Sequence, residues 1–281
     1  MPPFAMHSSE AEQHGIGVGS VLRRKSDGDY EHVTDDVTIE EPLEIRIGQD
    51  VIATTMRTPG NDQELVAGFL LSEAIVCQRT DLREVAHCTL PSSLGNVVNV
   101  ALAPSVQFVP AATQRLGTIS TSCGLCGKAS IEVIRQQFPP IPPRNNRMKV
   151  STLLDLPERL RAAQGNFART GGIHAAAIFN FDGDLMVVRE DVGRHNAVDK
   201  AIGRMFLDER LPLEKHILLV SGRSSFEIVQ KALAAGIPIV AAISAPSSLA
   251  VNFARENDQT LIGFLRPPTL NVYSHVERVM L

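Results

Sequence analysis

The stretch KHILLVSGRSSFEIVQKALAAGIPIVAAISAPSS, Lys215–Ser248, decides the fold. HILLV is a short unbroken apolar run ending in a Ser-Gly-Arg-Ser turn, the pattern of a strand buried on both faces. SFEIVQKALAAG then places apolar residues at helical spacing and stops at glycine. IPIVAAI is a second buried strand, and Pro246 opens another helix after it. Upstream, HAAAIFNF and DLMVVRE flank Asp182-Gly183, a hairpin signal, and HNAVDKAIGRMF is helical. Downstream, TLIGFLR reads as a final strand. The order β-β-α-β-α-β-α-β specifies an α/β three-layer sandwich with a mixed sheet over residues 151–281.

Residues 31–115 read as a small α+β domain. VTIEEPLEIRI and VIATTMRT alternate around Gly48-Gln49-Asp50 as a hairpin, and Pro59-Gly60-Asn61-Asp62 opens the helix QELVAGFLLSEAIV. LREVAHCTL and NVVNVALA are two more strands. Residues 1–30 are polar and glycine-dotted, the composition of a flexible arm. Residues 116–150 carry a cysteine loop, the helix ASIEVIRQQF and a PPIPPR linker. A short helix from Ser151 to Gly165 follows, with serine as N-cap and glycine as stop.

The chain has 281 residues, 27 basic and 31 acidic side chains and a formal charge of −4, which excludes a polycation built to coat nucleic acid. Four cysteines are too few for a secreted disulfide scaffold. The start MPPFAMHSSEAEQHG lacks a leader pattern, and no apolar run is long enough to span a membrane, so a cytoplasmic protein with reduced thiols is expected.

Three segments carry candidate chemistry. In Cys123-Gly-Leu-Cys126-Gly-Lys128 the two sulfurs can share a metal, exchange a disulfide, or supply one nucleophile with a neighbour. Cys77 and Cys88 make a poor second half of a zinc site, so no structural zinc is expected; they read as buried small hydrophobes. A following helix N-terminus and Lys128 favour a thiolate. The second segment runs from Arg189 to Lys200, with Asn196 or Asp191 to cap a helix and Asp199 to pair with Arg194 or Lys200. It is either a solvated salt-bridge loop or a pocket wall at a strand end. In the third, Ser224 and Glu227 fit a capping box, and Ser221-Gly222-Arg223-Ser224 also suits an anion. Ser244–Ser248 repeats that logic. There is no Walker loop, GxGxxG or HExxH, and His174 is followed by two alanines where a zinc deaminase needs HxE.

TSCGLCGKASIE, TGGIHAAAIF, REDVGRHNAVDKAIG, SGRSSFEIVQKAL and ISAPSSLAV together resemble the FdhD/NarQ family, the formate dehydrogenase accessory sulfurtransferases. The resemblance extends from about Val33 to Tyr273. It implies a cytidine deaminase-like C-terminal domain without zinc chemistry. It implies a sulfurtransferase that takes a persulfide from a cysteine desulfurase and passes the sulfur to the molybdenum (or tungsten) bis-pterin guanine dinucleotide cofactor, which then activates formate dehydrogenase. Cys123 and Cys126 match the family's cysteine motif, the first being the usual sulfur carrier. Phe264, Leu265, Arg266, Pro267, Pro268 and Thr269 match its cofactor-binding stretch. Pro267-Pro268 departs from the basic, glycine-containing version common in relatives. Arg223, Ser224 and Arg266 are then cradles for the cofactor's phosphates, with His195 and Arg194 lining the same cavity. A homodimer would give each guanine dinucleotide end its own protomer.

Two other readings compete with the sulfurtransferase. A non-catalytic cofactor chaperone would hold no sulfur on Cys123. A thiol-disulfide oxidoreductase would cycle a Cys123–Cys126 disulfide, but the pair lacks the βαβ context usual for one.

Overall fold

The computed structural model describes residues 15–90, 93–108, 138–142 and 147–280. It opens with β1 (Ile16–Arg24) and β2 (Tyr30–Thr38), an antiparallel ribbon in register from Ile16 opposite Thr38 to Arg24 opposite Tyr30. The expected arm is therefore a hairpin from Ile16 onward. Its glycines sit inside a strand, and Lys25 N donating to Asp29 O closes the turn. Next come β3 (Glu41–Ile47), β4 (Asp50–Arg57), α1 (Asp62–Ser72), β5 (Leu82–His87) and β6 (Val97–Leu102). Gly48, at φ 61°, makes the β3–β4 turn. The four strands form one sheet in the order β4-β3-β6-β5. Helix α1 is buried almost all round, because it is sandwiched rather than laid on a surface.

The rest of the chain comprises β7 (Met148–Lys149), α2 (Val150–Ala163), α3 (Gly165–Thr170), β8 (His174–Asn180), β9 (Leu185–Asp191), α4 (Arg194–Leu207), β10 (His216–Val220), α5 (Phe226–Ala234), β11 (Ile239–Ala242), α6 (Ser248–Glu256), β12 (Thr260–Arg266), β13 (Thr269–Ser274) and β14 (Val279–Met280). The large sheet runs β13-β12-β11-β10-β8-β9. Strands β10, β11 and β12 are mutually parallel, while β8 and β13 run antiparallel to their neighbours. The mixed α/β architecture is thus the one the strand and helix order requires. Strand β13 extends the large sheet beyond the expected final strand, and β14 pairs in parallel with β7 as a separate two-stranded sheet. β13 is a half-buried edge strand whose polar alternation gives a weaker signal than an apolar run.

Alternation along the central strands builds two cores. Ala176, Ile178, Leu218, Val220, Val240 and Ala242 pack against α4, α5 and α6. Ala175, Ala177, Phe179, Ile217, Leu219 and Ala241 face Leu153, Leu156 and Leu160 of α2. The first core continues without interruption through α1 to Leu43, Ile45, Val98 and Val100 of the four-stranded sheet. Helix α2 departs from expectation at both ends. Lys149 is its N-cap without a side-chain bond, and Gly165 begins α3 instead of ending α2.

α1 and α4 meet through glycines. A β-carbon on Gly68 would lie 2.0 Å from Asp199 O, and one on Gly203 would lie 1.8 Å from Glu64 O. Both obstacles are backbone, so the helices would have to separate. Gly68→Ala or Gly203→Ala should each cost about 3 kcal/mol or more, read as a lowered urea midpoint. A change within about 0.5 kcal/mol, the range of ordinary surface substitutions, would contradict this close crossing.

Candidate functional site at the sheet edge

The C-terminal ends of β9, β10, β11 and β12 and the first residue of β8 lie along one edge of the sheet. Open α/β sheets take ligands at such an edge. Asp191 fixes its first corner. The carboxylate is fully buried, pairs with Lys200 Nζ at 2.7 Å, and accepts from Thr58 N, Gly193 N and Asn196 Nδ2 at 3.1, 2.8 and 3.0 Å. Lys200 also donates to Thr58 O at 2.7 Å. Four partners make this a structural lock, so Asp191 and Asn196 do not cap α4 as expected; Gly193 is the N-cap. Asp199 pairs with neither Arg194 nor Lys200. It takes Lys231 Nζ on both oxygens at 2.8 and 2.9 Å, a partner from α5 that sequence neighbours concealed. Burial pulls the Lys231 amine down, but Asp199 and Glu73 outweigh it and hold the lysine charged.

The turn after β10 carries the second corner. Ser221 Oγ accepts from Ala175 N at 2.9 Å. At Gly222 a β-carbon would stand 3.3 Å from His174 Nδ1 and 3.8 Å from Arg194 Cβ, so the glycine lets these two side chains converge. Burial, then Arg194, lowers the His174 pKa. His195 Nε2 lies 2.9 Å from Ser225 Oγ and 3.0 Å from Glu227 Oε2. Burial first, then the cations Arg194 and Lys231, push His195 down to about 3, so it is neutral and Nε2–H points at the carboxylate. The Ser224–Glu227 capping box does not form. Ser225 is the N-cap of α5, Glu227 is engaged by His195, and Ser224 Oγ is wholly buried without a partner. Arg194 Nε is likewise buried and unpaired. Arg223 is exposed beside them. One turn later, Ser247 does cap α6, accepting from Ala250 N at 3.2 Å.

The end of β12 supplies the third corner. Arg266 Nε donates to Ile243 O at 2.9 Å and its guanidinium carbon lies 5.7 Å from the Phe264 ring. Phe264, Pro267, Pro268 and Thr269 line the surface, and Thr269 Oγ1 donates to Arg266 O at 3.0 Å. Leu265 is different: its side chain is wholly buried in the α2 core, because β12 alternates, and so it cannot contact a ligand. Beside His174, Ser221 and Ile243 opens a cavity of about 610 Å³, whose wall includes Gln164 and Phe167. Sequence reasoning passed over both residues and gave His174 no binding role. A strand-first histidine after two glycines was the available signal for His174; Gln164 and Phe167 offered none. Cys123, Cys126 and Lys128 lie outside the described residues, between Phe108 and Phe138, which both pack on the α1–α4 core. Cys77 is exposed and Cys88 half-buried, so neither is the packing residue expected. Among the described residues no cluster of metal-ligating side chains forms, and no helix is long and apolar enough to cross a membrane.

Fold and edge define a mixed α/β protein whose candidate site groups gather where parallel strands end. A model of the FdhD/NarQ family matches residues 38–280, and the chain belongs to that family. It is 49% identical over 280 residues to the sulfur carrier protein FdhD of Streptomyces coelicolor, covering 94% of this chain and 98% of that one. The proteins of the same name from Mycobacterium tuberculosis and Sulfurisphaera tokodaii are 49% and 45% identical, over 86% and 89% of this chain and 91% and 94% of theirs. The crystal structure of a candidate formate dehydrogenase accessory protein from Desulfotalea psychrophila superposes with a TM-score of 0.73 at 24% identity, over 94% of this chain and 98% of that one, and so shares the fold.

The geometry makes two expectations. Ser224→Ala should leave stability unchanged or raise it, since Oγ has no partner, whereas a capping serine would lose about 1 kcal/mol; a urea midpoint decides between them. The His195 ring should show no titration in NMR between pH 8 and pH 5. Because its folded pKa of about 3 lies below the ordinary 6.5, its contribution to stability is present above pH 6.5 and is lost as the pH falls towards 3. A midpoint near 6.5 in the folded protein would contradict the neutral assignment.

Proposed function

We propose that this protein is a sulfurtransferase that loads sulfur onto Cys123 and delivers it to a molybdenum bis-pterin guanine dinucleotide cofactor destined for formate dehydrogenase. The observation that carries this reading is near end-to-end likeness to relatives named sulfur carrier protein in a chain that holds the Cys123–Cys126 pair. The C-terminal unit is read as cytidine deaminase-like. The setting is a reducing cytoplasm, where a free thiol pair persists.

In the loading step the Cys123 thiolate attacks the terminal sulfur of a cysteine desulfurase persulfide. One S–S bond forms at Cys123 as the donor's S–S bond breaks, and the donor cysteine leaves as a thiolate with no net oxidation. In delivery, the terminal sulfur passes to the acceptor's metal. When Cys126 attacks Cys123 Sγ, the outer sulfur leaves as sulfide and the two cysteines become a disulfide, which a cellular dithiol returns to thiols. The unpaired Ser224 Oγ and Arg194 Nε, with Arg223 and Arg266, suit the acceptor's phosphates. The neutral His195 adds a polar wall without adding charge. Lys200 and Lys231 are already committed to carboxylates.

Incubation with a cysteine desulfurase and free cysteine should add one sulfur atom to the Cys123 peptide in mass spectrometry, and Cys123→Ala should abolish both the adduct and formate dehydrogenase activation. Cofactor binding without any sulfur adduct would replace this reading with that of a chaperone.

A further inference from the structure

His174 opens β8 and stands beside the turn that follows β10. Its strand is clamped to that turn: Ala175 N donates to Ser221 Oγ at 2.9 Å, and Ser221 N donates to Ala175 O at 3.0 Å. The ring approaches Gly222, where a β-carbon would lie 3.3 Å from Nδ1 and 3.5 Å from Cε1. It is half-buried, and among the described residues it makes no hydrogen bond.

The described carboxylates on the elements around this ring are already engaged. On β9, Asp191 holds Lys200 at 2.7 Å and accepts from three N–H groups, and Glu190 accepts from Asn166 N and Phe167 N, both at 2.9 Å. On α5, Glu227 lies 3.0 Å from His195 Nε2. The cations are less fully matched. Asp199 takes Lys231, but Arg194 on α4 has a buried Nε without a partner, and Arg223 is exposed on the turn. Arg161 on α2 lies over the Phe167 ring, and Arg266 on β12 donates to the Ile243 carbonyl. Burial, then Arg194, holds the His174 pKa down against the opposing pull of Asp191. The edge thus combines excess positive charge, a neutral His174 and the fully buried Ser224 Oγ that has no partner.

We infer that an anion binds at this edge together with a proton, which His174 takes up to become the anion's counter-ion. The surrounding carboxylates cannot fill that part because each has its own partners, so a charged His174 is stabilised only by what arrives. An anion beside Arg194 cancels the repulsion that keeps the ring neutral and adds an attraction of its own. Protonation also turns the ring's accepting nitrogen into a second N–H donor, adding to Ser224 Oγ and Arg194 Nε. The proton is drawn from water and returns there when the anion leaves. At His195 burial outweighs the nearby Glu227, and Lys231 adds to Arg194, so the proton settles on His174. The inference rests on the acceptor's phosphates docking at this edge; sulfur loading on Cys123 is independent of it.

The test uses the full chain and diguanosine pyrophosphate, whose diester phosphates keep their charge while a histidine titrates. Calorimetric titrations would run from pH 8 down to pH 6, the range in which histidine changes charge. Affinity should rise by up to about tenfold per pH unit, the slope of one bound proton, and level off below the lowered pKa of free His174. The binding heat should vary with the ionisation enthalpy of the buffer. His174→Gln keeps a polar side chain but cannot gain charge, so its affinity should stay level across the range. In the native protein, the NMR midpoint of the His174 ring should move up by about one unit or more on saturation with the probe. That reading needs no variant. No binding of the probe, pH-independent affinity, proton uptake that persists in His174→Gln, or an unmoved His174 midpoint would each overturn the inference. The sulfur adduct on Cys123 keeps this result apart from the proposed function. It should form in His174→Gln as in the native protein, and its loss in the variant would give His174 a different role and overturn the inference.

Discussion

The α1–α4 crossing is the constraint on which the site depends. With only hydrogens between Gly68 and Asp199 O, and between Gly203 and Glu64 O, the two helices touch backbone to backbone. That approach seats the small four-stranded sheet on the large one through one continuous core. It also fixes where α4 begins, and so where Arg194 and His195 stand. Charged groups pin the crossing laterally: Lys200 with Asp191, Lys231 with Asp199, and Arg189 with Glu64. Such buried pairs add little net stability over apolar residues, but each has its partner on another element, and together they specify a single register.

The edge they position is underfilled in a consistent way. Ser224 Oγ, Arg194 Nε and Gln164 Nε2 are buried donors without acceptors; the first two lie where α5 and α4 begin, and Gln164 belongs to the cavity wall. Elsewhere His216 Nδ1 and Gln259 Oε1 are also buried without a partner, whereas Ser72 donates to Gly68 O at 2.7 Å. A buried unsatisfied group calls for an explanation, and a bound ligand is one. His195 follows the opposite logic: burial and the nearby cations Arg194 and Lys231 keep it neutral, Ser225 and Glu227 hold its Nε2 in place, and charge at the edge comes from arginines.

The α/β alternation was legible because strands buried on both faces leave unbroken apolar runs, as in HILLV and IPIVAAI. Strand β1 was not, since Gly17 and Gly19 dilute its alternation and imitate a loop. The α5 cap was misread by one residue because Ser224 and Ser225 are equally good caps in sequence; only the parallel bridge of Ser224 to Pro246 separates them. Sequence proximity suggested Arg194 or Lys200 for Asp199, whereas the fold delivers Lys231 from the next helix. Gln164 carried no signal at all, since its significance depends on Glu190 having taken over the α3 amides.

The central claim is that sulfur leaves Cys123 for an acceptor held at this edge, and Gly222 is where it can be blocked. Protein carrying radiolabelled persulfide on Cys123 would be mixed with the molybdenum cofactor in a single turnover, and label counted in the protein and small-molecule fractions. The account predicts that the label moves to the cofactor in the native protein. It should stay on the protein in Gly222→Leu, whose side chain would crowd His174 and Arg194. Equal transfer by both proteins, with the variant folded, would contradict it.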